Sequence, residues 1–154
     1  MSKVFPNNER MNVFPAFQND AAVPTDPVAA VSIIRCSRPI DSILLLRRNK
    51  QANDPWSGHF ALPGGRIDMG DPDIFATCLR ETREETGIVL ENDDFKAQLP
   101  IALAGRGGSA PLPVQPFAFA LEERPPVTVE VSEISSNLWL DVEKFRDLDH
   151  HETR

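Results

Sequence analysis

Glu81, Glu84 and Glu85 crowd into the second half of the segment ALPGGRIDMGDPDIFATCLRETREETGI, residues 61 to 88. A helix turns by about 100° per residue, so on a helix the three carboxylates share an arc of roughly 100°. Like charges three or four residues apart cost roughly 0.2–0.5 kcal/mol per pair, so such a face needs a reason. One reason is a solvated, salt-bridged surface, with Arg80 pairing to Glu84 at the favourable four-residue spacing and Arg83 close by. The other is a cation. Pro63, Gly64 and Gly65 precede the helix, and glycine lets backbone carbonyls approach whatever sits beside the carboxylates. Hard divalent ions such as Mg2+ take oxygen ligands of this kind and usually share them with substrate phosphates. The preceding turn favours this second reading.

The helix carrying these residues is predicted from about 72 to 86. Asp71 is the expected cap, Pro72 the first helical position, Asp73 a first-turn acid and Gly87 the stop. Phe75, Leu79, Thr82 and Thr86 fall on a separate arc that should pack on a sheet, leaving the acidic face pointing away from that packing. Strands are expected at 28–36 and 42–48, joined as a hairpin, and at 95–104, 113–121 and 136–141. The short apolar piece HFALP leads into the two glycines. Residues 1–26 are polar and broken by prolines, and read as an N-terminal arm that Phe5, Val13, Phe14 and Phe17 could dock.

With 154 residues, 41% hydrophobic and 25% charged, the chain has the size and composition of one globular domain. A net charge of −7 argues against a duplex nucleic-acid binder, which would offer a basic face to phosphates. Cys36 and Cys78 show neither a pairing signature nor metal-ligand spacing, which fits a reducing compartment and two buried small side chains. No run is long enough to span a membrane and the N-terminus lacks the apolar core of a signal peptide, so the expected location is the cytoplasm.

The stretch GGRIDMGDPDIFATCLRETREETGI resembles the Nudix box, the signature of Nudix hydrolases. That pattern is Gly, five residues, Glu, seven residues, Arg-Glu, an aliphatic residue, any residue, Glu-Glu, any residue, Gly and an aliphatic residue. Gly65, Arg80, Glu81, Glu84, Glu85, Gly87 and Ile88 match it. The resemblance implies an α/β fold, a Nudix-type α/β/α sandwich with a mixed β-sheet over 27–147. The remaining residues, 148–154, would be a C-terminal tail, the end of either a minimal fold or a truncated chain. It also implies hydrolysis, with Mg2+ or Mn2+, of the pyrophosphate bond in a nucleoside diphosphate linked to another moiety such as ADP-ribose, a sugar or coenzyme A. The alternative is a non-catalytic Nudix-like nucleotide-binding sensor. The partner is then a small molecule, without duplex nucleic acid or membrane, and a homodimer is compatible with the reading.

Carried over by position, Glu81, Glu85 and the carbonyl of Gly64 match metal ligands, and Glu84 matches a ligand or a residue that orients the others. Arg80 matches the arginine holding the glutamates. Glu81, Glu84 and Arg80 thus form the expected catalytic set, with Glu81 the first choice of general base inside the box and Glu130 or Glu133 the candidates from a later loop. Arg48, His59, Gly65 and Trp56 are the expected substrate contacts, although His59 and Trp56 could equally be structural. Gly-Arg-Gly-Gly-Ser at 105–109 could cradle a phosphate or be a plain loop. Trp139 should be core, and His150 and His151 belong to the tail. The sequence departs from the pattern at Asp71, which replaces Glu and is separated from Arg80 by eight residues instead of seven, and at Thr82, which replaces the aliphatic residue. The longer spacing resembles that of coenzyme A-directed members. Their upstream signature is incomplete here, because Asp54 stands four residues before Gly58, where an arginine belongs.

Overall fold

The computed structural model describes residues 26–53, 57–105 and 111–144. The arm before Asp26, the tail with His150 and His151, Asp54, Trp56 and most of the 105–109 glycine loop lie outside the described residues. Eight strands form one mixed sheet: β1 Ala29–Arg38, β2 Ser42–Arg48, β3 Phe60–Ala61, β4 Gly64–Arg66, β5 Phe95–Gln98, β6 Ala102–Ala104, β7 Leu112–Glu123 and β8 Ile134–Asp141. A single long helix among the described residues, α1 (Ile74–Thr86), packs on it, and a short 3-10 turn at Asn92–Asp94 precedes β5. The architecture is an α/β fold. The chain turns helical again at 142–144, directly after β8. None of the described helices is long and apolar enough to cross a membrane.

β1 organises the sheet. Ala30, Ser32, Ile34 and Cys36 alternate along it and are fully buried, the period-two pattern of a strand with one face in a core. On one side β1 runs parallel to β7, from Ala29 opposite Val114 to Arg38 opposite Glu123. Its other edge is divided. The end near Arg35 and Cys36 pairs antiparallel with β2, as the predicted hairpin requires, whereas Ala29, Ala30 and Val31 pair with Arg66, Gly65 and Gly64 of β4. Beyond the division β2 pairs with β3 and, along its whole length, with β8.

The single strand expected at 95–104 is two strands, β5 and β6, both antiparallel to β7. Pro100 has no N–H to give the ladder, and Pro116 of β7 lacks one too. A side chain repairs the gap: Gln115 Nε2 donates to the carbonyls of Leu99 at 2.6 Å and Pro116 at 3.1 Å.

α1 begins two residues later than its sequence suggests. Asp73, in extended conformation, is the N-cap and accepts a hydrogen bond from Ala76 N at 2.8 Å. Asp71 is not the cap, and Pro72 lies outside the helix, because the Asp71 carboxylate is committed elsewhere. The stop is as read: Gly87 takes φ 77° and its N–H bonds to the Arg83 carbonyl at 2.8 Å. An added Cβ at Gly87 would meet nothing nearer than Thr128 at 3.7 Å. Gly87→Ala therefore strains only the backbone. It should cost about 1 kcal/mol, read as a fall in Tm of roughly 2–4 °C.

The buried side of α1 comprises Phe75, Thr77, Cys78, Thr82, Glu85 and Thr86, with Leu79 only partly buried. Phe75 inserts between Phe95 and Phe117, edge-on to both at 5.4 and 5.0 Å between ring centroids, and anchors the N-terminal half of the helix on β5 and β7. Both cysteines are buried free thiols, as expected. Trp139 is half-buried against the core, with the Arg124 guanidinium 5.5 Å from its ring centroid.

Candidate active site

The buried side of α1 includes Glu85, which corrects the expectation that the acidic face points away from the sheet. Only 7% exposed, Glu85 lies in the seam between α1 and β4, where its Oε1 accepts from Gly64 N–H at 3.0 Å. Glu81, one turn earlier, is half-buried against Gly65. A Cβ built at Gly65 would stand 2.4 Å from the Glu81 carboxyl carbon, so only glycine leaves room for that carboxylate. Glu84 is different: it sits at the exposed rim. The helix thus delivers two of its three glutamates to two successive glycines of β4.

Arg80 holds this arrangement through nearly every donor it has. Nε and Nη2 form a two-pronged pair with Asp71, each at 2.9 Å. Nη1 reaches Glu81 at 2.9 Å and Glu84 at 3.3 Å, and Nη2 also donates to the Arg66 carbonyl at 3.1 Å. Asp71, whose side chain is 6% exposed, accepts further bonds from Thr77 Oγ1 at 2.8 Å and Asp68 N at 2.9 Å. Here the one-residue-longer spacing finds its physical role: Asp71 is the anchor of Arg80. The Arg80 hydrogen bond holds its carboxyl well below the usual carboxylate range.

The two inner glutamates are shifted the other way. Burial pushes the Glu85 carboxyl up to about 7, opposed by the Gly64 hydrogen bond and reinforced by the charges of Glu81 and Glu133, while Arg48 pulls it down. Burial also raises Glu81, Arg80 lowers it, and Glu84 and Glu133 raise it. Carboxylates that repel one another in a desolvated seam are poised to accept a cation. Among the described residues, however, His, Cys, Asp and Glu side chains do not gather in threes at ligand distances. Arg80 takes up one oxygen of Glu81, so a bound ion requires a local rearrangement.

The other expected residues divide by position. Arg48, half-buried at the end of β2, lies within electrostatic reach of Glu85. The His59 side chain is exposed, although its carbonyl accepts from Arg48 N at 3.0 Å. Of the two later-loop acids, Glu133 is the one whose charge is felt at Glu81 and Glu85. The Glu130 carboxylate instead binds Ser132. Asp71's part in the site is hidden by its capping-like context, although it occupies the position of the pattern's first acid. A groove of about 1120 Å3 near Ile88, Lys96 and Glu122 contains none of these glutamates.

A family model described as the NUDIX domain matches residues 26–154. An uncharacterized protein of Schizosaccharomyces pombe is 37% identical over 108 residues, covering 66% of this chain and 33% of that protein. The mitochondrial coenzyme A diphosphatase NUDT8 of Homo sapiens is 32% identical over 107 residues, covering 62% of this chain and 45% of the relative. The matched region thus spans between a third and a half of these curated relatives. In fold, the chain is similar to the NUDIX domain of Shewanella oneidensis NrtR, solved with ADP ribose. The TM-score is 0.65 at 19% identity, over 87% of this chain and 84% of that one.

Proposed function

Because the chain belongs to the Nudix family, we propose that it is a pyrophosphohydrolase, dependent on Mg2+ or Mn2+, that cleaves the diphosphate of a nucleoside diphosphate linked to another moiety. The observation that carries this reading is the seating of two desolvated carboxylates against two glycines, Glu85 on Gly64 N–H and Glu81 in the space a Cβ at Gly65 would fill. These oxygen donors are of the kind a hard divalent ion takes, once a local rearrangement frees Glu81 from Arg80 and draws them together. Glu81, Glu84, Glu85 and the Gly64 carbonyl are the groups that would hold it. A bound ion supplies neutralisation of the diphosphate and a more acidic water.

The chain's own residues do the positioning. Arg80 fixes Glu81 and reaches Glu84, and Gly64 N–H orients Glu85. Glu81 is the first choice of general base, and Glu133 replaces Glu130 as the candidate from the later loop because its charge reaches both inner glutamates. Arg48, whose charge reaches Glu85, is the proposed contact for substrate charge. An acidic protein with net charge −7 would thereby bind a polyanion through cations that its carboxylates recruit.

The test is turnover of ADP-ribose, sugar nucleotides, coenzyme A, dinucleoside polyphosphates, NADH and nucleoside triphosphates with Mg2+ and with Mn2+. Coenzyme A belongs in the panel because the human relative is named as a coenzyme A diphosphatase. Metal-dependent cleavage of at least one compound is expected. Tight binding of one compound without cleavage of any would favour the sensor instead. Arg80→Ala should weaken apparent metal affinity on the order of tenfold, in titrations of activity against free Mg2+, because Glu81 loses its brace. Arg80→Lys should rescue little, since a single ammonium cannot span Asp71 and Glu81 together.

A further inference from the structure

The helix–sheet seam beside the inner glutamates is held by a pair of hydroxyls. Ser32 Oγ of β1 and Thr82 Oγ1 of α1 lie 2.9 Å apart, and both residues are 0% exposed. Thr82 follows Glu81 and precedes Glu85 by three residues, so it faces the sheet between them. Ser32 follows Val31, which pairs with Gly64, and it is tied to the same turn by its backbone, with Ser32 N donating to the Pro63 carbonyl at 2.8 Å. Thr86 extends the polar seam by donating from Oγ1 to the Thr82 carbonyl at 2.6 Å.

The Nudix pattern places an aliphatic residue where Thr82 stands. An aliphatic contact tolerates sliding and rotation, whereas a buried hydrogen bond fixes both distance and direction. The Ser32–Thr82 bond joins the helix that carries Glu81 and Glu85 to the strand that holds the Gly64 turn. We propose that Ser32 and Thr82 are positioning residues that set where Glu81 and Glu85 stand against Gly64 and Gly65, and thereby set the affinity for the divalent ion. This rests on the metal-dependent reading above.

The experiment uses the full chain with Thr82→Val, Ser32→Ala, the Ser32→Ala/Thr82→Val double variant and Thr82→Ser. Melting is measured without metal and across titrations of Mg2+ and Mn2+, independently of turnover. Each single loss of a hydroxyl removes the 2.9 Å bond and leaves a buried partner with only a weaker contact, Ser32 Oγ with the Pro63 carbonyl at 3.5 Å or Thr82 with the Cys78 thiol, and so lowers the metal-free Tm. The double variant, with both polar groups gone, should recover much of that Tm yet keep an apparent metal affinity weakened on the order of tenfold, while Thr82→Ser stays near wild type. Metal affinity that recovers along with Tm in the double variant would overturn the proposal, since the pair would then serve packing alone. So would a Thr82→Ser variant as impaired as Thr82→Val. A wild-type protein that shows no metal-dependent shift sinks the functional reading itself and this inference with it. A wild-type shift matched by the double variant sinks the inference only.

Discussion

Glu85→Gln is expected to lower kcat by on the order of 10²-fold or more while leaving the circular dichroism spectrum unchanged. Glutamine keeps the shape of the side chain and an oxygen able to accept from Gly64 N–H, the bond that seats Glu85 at 3.0 Å. What it removes is the charge, and with it a ligand for the ion that supplies most of the chemistry in this reading. Because Glu85 is desolvated, the neutral substitute should cost the metal-free fold nothing, the opposite of what loss of a structural ion pair would give. A variant turning over at the wild-type rate in saturating Mg2+ would remove Glu85 from the machinery.

The second large effect lies in stability. A divalent ion that binds only the folded chain should stabilise it by ~2.7 kcal/mol when free metal is about a hundred times Kd. For a chain of this size that raises Tm by roughly 5–10 °C. Gln at both Glu81 and Glu85 should abolish the shift. The metal-free protein also carries a pH signature. An unfolded glutamate ionises near 4.5, whereas folded Glu85 keeps its proton up to about 7. Between those values ionisation favours the unfolded chain, so stability should fall as pH rises from about 4.5 to 7, by at most roughly 3 kcal/mol, and Glu85→Gln should flatten that slope. Asp71 acts in the opposite sense. Its carboxyl is held low by Arg80, so the stability it contributes is present above about pH 4 and is lost on acidification. Melting curves across pH, with and without Mn2+, would reveal both limbs. A metal-insensitive wild type that loses stability on the double substitution would mark the glutamates as a surface ion-pair face.

Much of this was legible in the residues, though unevenly. Gly87 announced the helix stop because few other residues accept a positive φ, and β1 and β2 announced themselves through alternating apolar positions. The helix starts later than its sequence suggests because Asp71 and Asp73 are chemically equivalent and stand two residues apart. Only the reach of Arg80, nine residues on, decides which one caps and which one anchors. The inward turn of Glu85 was hidden for a related reason. Burying a carboxylate beside a sheet is normally prohibitive, and it is allowed here because Gly64 and Gly65 of β4 offer a backbone N–H and no side chains. Angular position on a helix carries no information about such a partner. The break at Pro100 was visible as a residue, but its consequence depended on the Gln115 side chain filling in for missing backbone donors.

The divided edge of β1 bears on how a protein of this kind can diversify. The glycine pair hangs from one half of that edge, while β2, which leads into the connection at 49–59, hangs from the other. β3, which closes that connection three residues before Gly64, is held by β2, and β2 by β8, so the connection and the glycine pair are braced by different partners. A change of length in the connection would therefore be expected to act first on the β2, β3 and β8 pairings and only through them on the base that carries the glycines.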